Sequence, residues 1–73
     1  MTKHYSAIIE REDTMYVALC PELDIASQGE TMEIAKANLI EAVELFFETA
    51  DLSEIEGREH GEAWLTSLEV TVG

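Results

Sequence analysis

The chain has 73 residues, with 16 acids against four bases and a formal charge of −12, which excludes a surface that attracts nucleic acid or anionic lipid. Cys20 is the only cysteine, so no intrachain disulfide can form, and His4 and His60 lie too far apart to share helical metal-ligand spacing. A domain this small buries only about 60% of the surface its unfolded chain exposes, and with disulfide and metal set aside, oligomerisation is the supplement left.

The start of the chain carries no basic segment leading into an apolar one, and the longest fully apolar run is the hexapeptide Met15 to Cys20. The expectation is a soluble cytoplasmic protein with no signal peptide and no membrane span. Residues 1–73 read as one domain without internal repeats.

Tyr5, Ala7 and Ile9 alternate with Ser6, Ile8 and Glu10, a first strand with apolar residues on both faces. Glu12-Asp13-Thr14 breaks the run, and Met15 to Cys20 follows as a second strand in an antiparallel hairpin. Pro21 lacks an N–H and ends that ladder. Ile25 to Gln28 forms a short third strand, and Gly29 supplies a bend.

Thr31 has the hydroxyl of a helix N-cap, with Glu30 and Glu33 beside the positive end of the helix dipole. The spacing predicts a helix to about Ala50. At about 100° per residue, Ala35, Leu39, Ala42, Val43, Phe46, Phe47 and Ala50 share one arc, read as the core-facing stripe.

Asp51 to Glu62 has glycines at 57 and 61 and five acids against one arginine. It reads as an exposed connector with one helical turn around Leu52 to Glu56. Trp64 to Val72 closes the chain, with Leu68, Val70 and Val72 in the alternation of a fourth strand. The expected fold is α+β, β-β-β-α-β. A right-handed crossover would give a four-stranded mixed sheet of order 3-2-1-4, with one helix on one face.

One helix covers one face of such a sheet, yet the second strand is apolar on both: Met15, Val17 and Leu19 alternate with Tyr16, Ala18 and Cys20. The expectation is a homodimer or higher oligomer through the sheet, with Ile8, Tyr16 and Ala18 as its contacts. On the helix, Glu41, Glu44 and Glu48 stack at i,i+3 and i,i+4 spacing, where like charges cost roughly 0.2–0.5 kcal/mol a pair. Together with Glu54, Glu56 and Glu59 of the connector, they are the expected contacts for a basic partner.

No constellation for catalysis appears. Cys20 lies in an apolar strand and reads as a small buried hydrophobe, and His4 and His60 have no serine or cysteine partner. Glu22 and Asp24 read equally as a carboxylate pair or as ordinary surface in a turn, and Gly57 and Gly61 do not make a phosphate loop. No catalytic, cofactor-binding or metal-binding residue is assigned, and the chain is not expected to be an enzyme.

The run Tyr16-Val17-Ala18-Leu19-Cys20-Pro21-Glu22-Leu23, then Gln28-Gly29-Glu30-Thr31 and Ala35, resembles the HicB family of antitoxins. Asn38-Leu39 and Glu41-Ala42 extend the resemblance along the helix, so that it covers nearly the whole chain. It implies a partly degraded ribonuclease H-like fold, assembly through the sheet, and a role in a toxin–antitoxin pair. The partner it implies is a small basic HicA-like toxin that cleaves mRNA, which the acidic chain would bind and occlude.

Asp24-Ile25 stands where many members have a proline-glycine pair, and Ile34 where they often have glutamate. No residues here match the family's C-terminal DNA-binding segment, so operator binding is not carried over. The carboxylates of an active ribonuclease H are unmatched, since the first strand offers only Glu10. The competing expectation is an oligomeric scaffold or small regulatory ligand-binding protein without a toxin.

Overall fold

The protein is seen in a computed structural model that describes residues 2–59 and 63–73. Strands β1 (Ile8–Glu12), β2 (Met15–Cys20) and β3 (Ile25–Gly29) are followed by helices α1 (Met32–Thr49) and α2 (Leu52–Arg58). His60, Gly61 and Glu62, read above as part of the connector, lie outside the described residues.

The expected four-stranded mixed sheet is corrected. The sheet has three antiparallel strands in the order β1-β2-β3, and two helices accompany it. The α+β class stands. Trp64 to Val72 is not a strand: it has no regular secondary structure, and Trp64, Leu65, Leu68, Val70 and Val72 are 67–91% exposed. Alternation shows that a segment has one apolar side. It does not say what that side meets, and here no neighbouring strand pairs with it.

The hairpin closes through Asp13 and Thr14, with Glu12 opposite Met15 and Ile8 opposite Leu19. Asp13 takes φ 55°, a left-handed conformation that a short polar side chain tolerates. β2 stops at Cys20, and Pro21 enters a turn in which the Leu23 N–H donates to the Cys20 carbonyl at 3.3 Å. Asp24, at φ 56°, redirects the chain into β3.

Thr31 caps α1, its hydroxyl accepting from the Ile34 N–H at 3.1 Å. α1 lies on the sheet face that carries Tyr16, Ala18 and Cys20. Ala18, Cys20, Leu23, Ala35 and Leu39 form the buried core, with Tyr5, Ile9, Ile25, Val43 and Phe47 packed around it. Asn38 adds a polar tie, its side-chain amide donating to the Gln28 carbonyl at 2.8 Å.

Gly29 serves a different purpose from the expected bend, since its φ lies outside the left-handed region. A Cβ there would sit 2.6 Å from the Ala35 nitrogen and 2.6 Å from Ile34 Cγ2. Glycine lets the first turn of α1 rest directly on the β3 backbone.

The single turn expected around Leu52 is a seven-residue helix. Asp51 is its cap, accepting from the Glu54 N–H at 2.9 Å and the Ser53 hydroxyl at 2.8 Å. Those two bonds hold the Asp51 carboxyl below its ordinary pKa.

Candidate functional site

Two surfaces compete for a functional role: the carboxylates of α1 and α2, and the sheet face that no helix covers. Glu41, Glu44 and Glu48 are all exposed on α1, as are Glu54 and Glu56 on α2. The ion pair formed among the described residues is Lys3–Glu59, at 3.4 Å. The other carboxylates of the stripe are exposed and none is in an ion pair among the described residues.

Glu59 stands apart from the set. Its carboxylate accepts from the Tyr5 hydroxyl at 2.6 Å as well as from Lys3. These partners lower its pKa, while burial and then Glu59 push the Tyr5 phenol up to about 12. Glu59 staples α2 to the N-terminal segment and is already engaged within the chain.

Sequence reasoning passed over Arg58, which docks α2 from the other side. Its guanidinium donates to the Leu23 carbonyl at 3.2 Å and the Asp24 carbonyl at 2.9 Å, and it lies 5.8 Å from the Phe46 ring centroid. Lys3 likewise sits 4.8 Å over the Phe47 ring. Two of the four bases are thus spent on joining α2 and the N-terminus to α1, which leaves the acidic stripe the less compensated.

The expected self-association trio is split. Because Ile8 pairs with Leu19 and Ile9 with Ala18, Ile8 projects to the open face while Ala18 faces the helix. Ala18 is fully buried beneath α1, and Tyr16 packs against the same core. The open face instead carries Ile8, Met15, Val17, Leu19 and Ala26, interspersed with Glu10, Glu12 and Gln28. Its four larger apolar side chains are half-buried by their neighbours alone.

Glu22 is not ordinary surface either. It is 8% exposed, accepting from the Ser6 N–H at 2.9 Å and from the Cys20 thiol at 3.6 Å. Burial would raise its pKa, but the hydrogen bonds outweigh that and hold it below the ordinary value of 4.5. The Cys20 thiol is itself pushed up, chiefly by burial. A protonated buried thiol of this kind is a poor nucleophile.

A group whose pKa is depressed on folding stabilises the fold fully above its unfolded pKa. That contribution is lost as pH falls through the folded value. Glu22 should thus support the fold at neutral pH and release it in acid, below the ordinary carboxylate range. Glu22→Gln is expected to cost roughly 1–2 kcal/mol at pH 7, the difference between a hydrogen bond to a charged group and one to a neutral group. It should also flatten the acid limb of a stability-against-pH curve. A variant as acid-sensitive as the parent would mean that other carboxylates set that limb.

Among the described residues, no group of three or more His, Cys, Asp or Glu side chains could hold a metal ion, and no helix is long and apolar enough to cross a membrane. The arrangement can offer a basic partner a set of unneutralised carboxylates presented on rigid helices. In comparisons with protein-family models, curated proteins and solved structures, nothing matches the chain.

Proposed function

We propose that this chain is a HicB-like antitoxin that binds a small basic mRNA-cleaving toxin and occludes it. The observation that carries the reading is the acidic surface: Glu41, Glu44 and Glu48 on α1, extended by Glu54 and Glu56 on α2, none of them in an ion pair among the described residues. Like charges at helical spacing cost stability in the free protein, and a basic partner relieves that cost on binding. The sequence run from Tyr16 to Leu23, with the glycine-threonine entry into α1, supplies the family resemblance.

In this reading the chain works by binding, not by catalysis. Complementary fields raise the rate of encounter and reject like-charged competitors, while packed contacts set residence time. Glu59 is left out of the partner surface, because Tyr5 and Lys3 already hold it.

The test is suppression of mRNA cleavage by a basic ribonuclease encoded beside this chain. The parent should inhibit at stoichiometric amounts. Glu41→Lys combined with Glu44→Lys should weaken inhibition at least tenfold, with the helical circular dichroism spectrum retained. If the charge-reversed protein inhibits as well as the parent, or the two proteins fail to associate at moderate salt, the antitoxin reading falls and a scaffold without a toxin takes its place.

A further inference from the structure

The C-terminal segment belongs to no strand or helix. Its even-numbered residues from Trp64 to Val72 are Trp, Thr, Leu, Val and Val; Leu65, Ser67, Glu69 and Thr71 lie between them. That is the pattern of a strand with one face covered and one in water. Yet Trp64 is 83% exposed, Leu68 80%, Val70 67% and Val72 91%. The chain is correspondingly elongated, with a radius of gyration of 14.3 Å against about 11 Å for a compact domain of this length.

The rest of the molecule shows a vacancy of matching character. α1 is 18 residues long, or about 27 Å at 1.5 Å per residue, whereas the strands beneath it span about 17–20 Å. Beside this helix, an open groove of ≈ 870 Å³ runs between α1 and the N-terminal segment before β1. Leu39, Ile40, Val43 and Phe47 form its apolar wall, and Lys3 and Lys36 line it together with Glu44 and Glu48. Ile40 is still 49% exposed there. Among the described residues the outer edge of β1, in the sheet order β1-β2-β3, has no partner strand, and an unpaired edge is a template for another chain.

We infer that the C-terminal arm of one copy lies in this groove of a second copy, and that two copies exchange arms reciprocally. Nine residues of extended chain reach about 30 Å, close to the length of α1. The Trp64, Leu68, Val70 and Val72 face meets the apolar wall, and Glu69, on the opposite side of the arm, is left facing water. The chain's own arm leaves its own groove open, so the arm's apolar face and the groove wall are covered only by exchange. Two-fold exchange of an identical element closes the assembly at two copies, and backbone pairing along β1 adds the edge contacts. This interface differs from the open sheet face and borders the surface proposed for a toxin, because Glu44 and Glu48 line the groove.

Trp64 is the only tryptophan and therefore reports directly on the arm. The full chain is followed by sedimentation velocity and by tryptophan emission across a dilution series. Moderate salt is used, because each copy carries −12. The expected result is a dimer with blue-shifted emission that turns, on dilution, into a monomer with water-exposed emission.

Val70→Asp on the arm and Ile40→Asp in the groove should each weaken the dimer at least tenfold. Both side chains are substantially exposed in the single chain, so the circular dichroism of the monomer should be preserved. Three results would overturn the inference: a monomer at every concentration, a dimer whose tryptophan stays water-exposed, or blue-shifted emission from a monomer. The last would mean that the arm folds onto its own chain.

Discussion

Leu23→Ala should destabilise the protein by about 2–5 kcal/mol, the range for deleting a fully buried leucine side chain. Leu23 has no exposed surface, although it lies in a turn between strands. It plugs the core formed by Ala18, Cys20, Ala35 and Leu39, and its carbonyl also receives Arg58 from α2. In a domain of 60–100 residues each kcal/mol moves the melting temperature by about 4–8 °C, so the midpoint should drop by roughly 10 °C or more. A thermal melt followed by circular dichroism measures this, and a shift of only a degree or two would show that the turn does not anchor the core.

Gly29→Ala is the second large effect, and it acts by crowding. The added methyl would lie 2.6 Å from the Ala35 nitrogen and 2.9 Å from the Ile34 carbonyl carbon, both backbone atoms of α1. A flexible side chain could swing aside, but a helix turn has to shift bodily. Overpacking of this kind costs about 1–3 kcal/mol and occasionally more, and here it also strains the Thr31 cap.

Gly57→Ala is the matched control, because a Cβ at Gly57 meets nothing within 4 Å. It sits inside α2, where replacing glycine should stabilise by about 0.5–1 kcal/mol. Chemical denaturation of the two variants should therefore give shifts of opposite sign. Equal and small shifts would mean that α1 does not rest on β3 as closely as the structure places it.

The open sheet face illustrates where reading by period stops. Alternation along β1 and β2 identifies which residues of each strand share a side, but not how the sides of two strands match. That depends on loop length. With Asp13 and Thr14 alone in the loop, Glu12 faces Met15, and even-numbered residues of β1 join odd-numbered residues of β2. One more loop residue would have placed Ile8 with Tyr16 and Ala18. The same limit hid Glu22, whose burial depends on the Ser6 N–H arriving from a segment 16 residues away.

The acidic stripe was legible because helical spacing is a local property and charged side chains on a helix point outward whatever the tertiary fold. The intrachain bonds of Glu59 were not legible, because its partners, Lys3 and Tyr5, are more than 50 residues distant in the chain. The two bases spent on ring faces, Lys3 and Arg58, could not be foreseen from spacing for the same reason.

Local chemistry in the sequence was enough to place β1, β2, β3 and α1 in order. It also located the Thr31 cap, the stop at Pro21 and the core stripe through Ala35 and Leu39, since each depends on neighbours within a few residues. Only the tertiary structure decided which sheet face the helix covers, that Gly29 is a contact point, and that Trp64 to Val72 stands free of the sheet. Each of those outcomes turns on whether distant segments meet, and a pattern of apolar and polar residues encodes the wish for cover without naming the surface that supplies it.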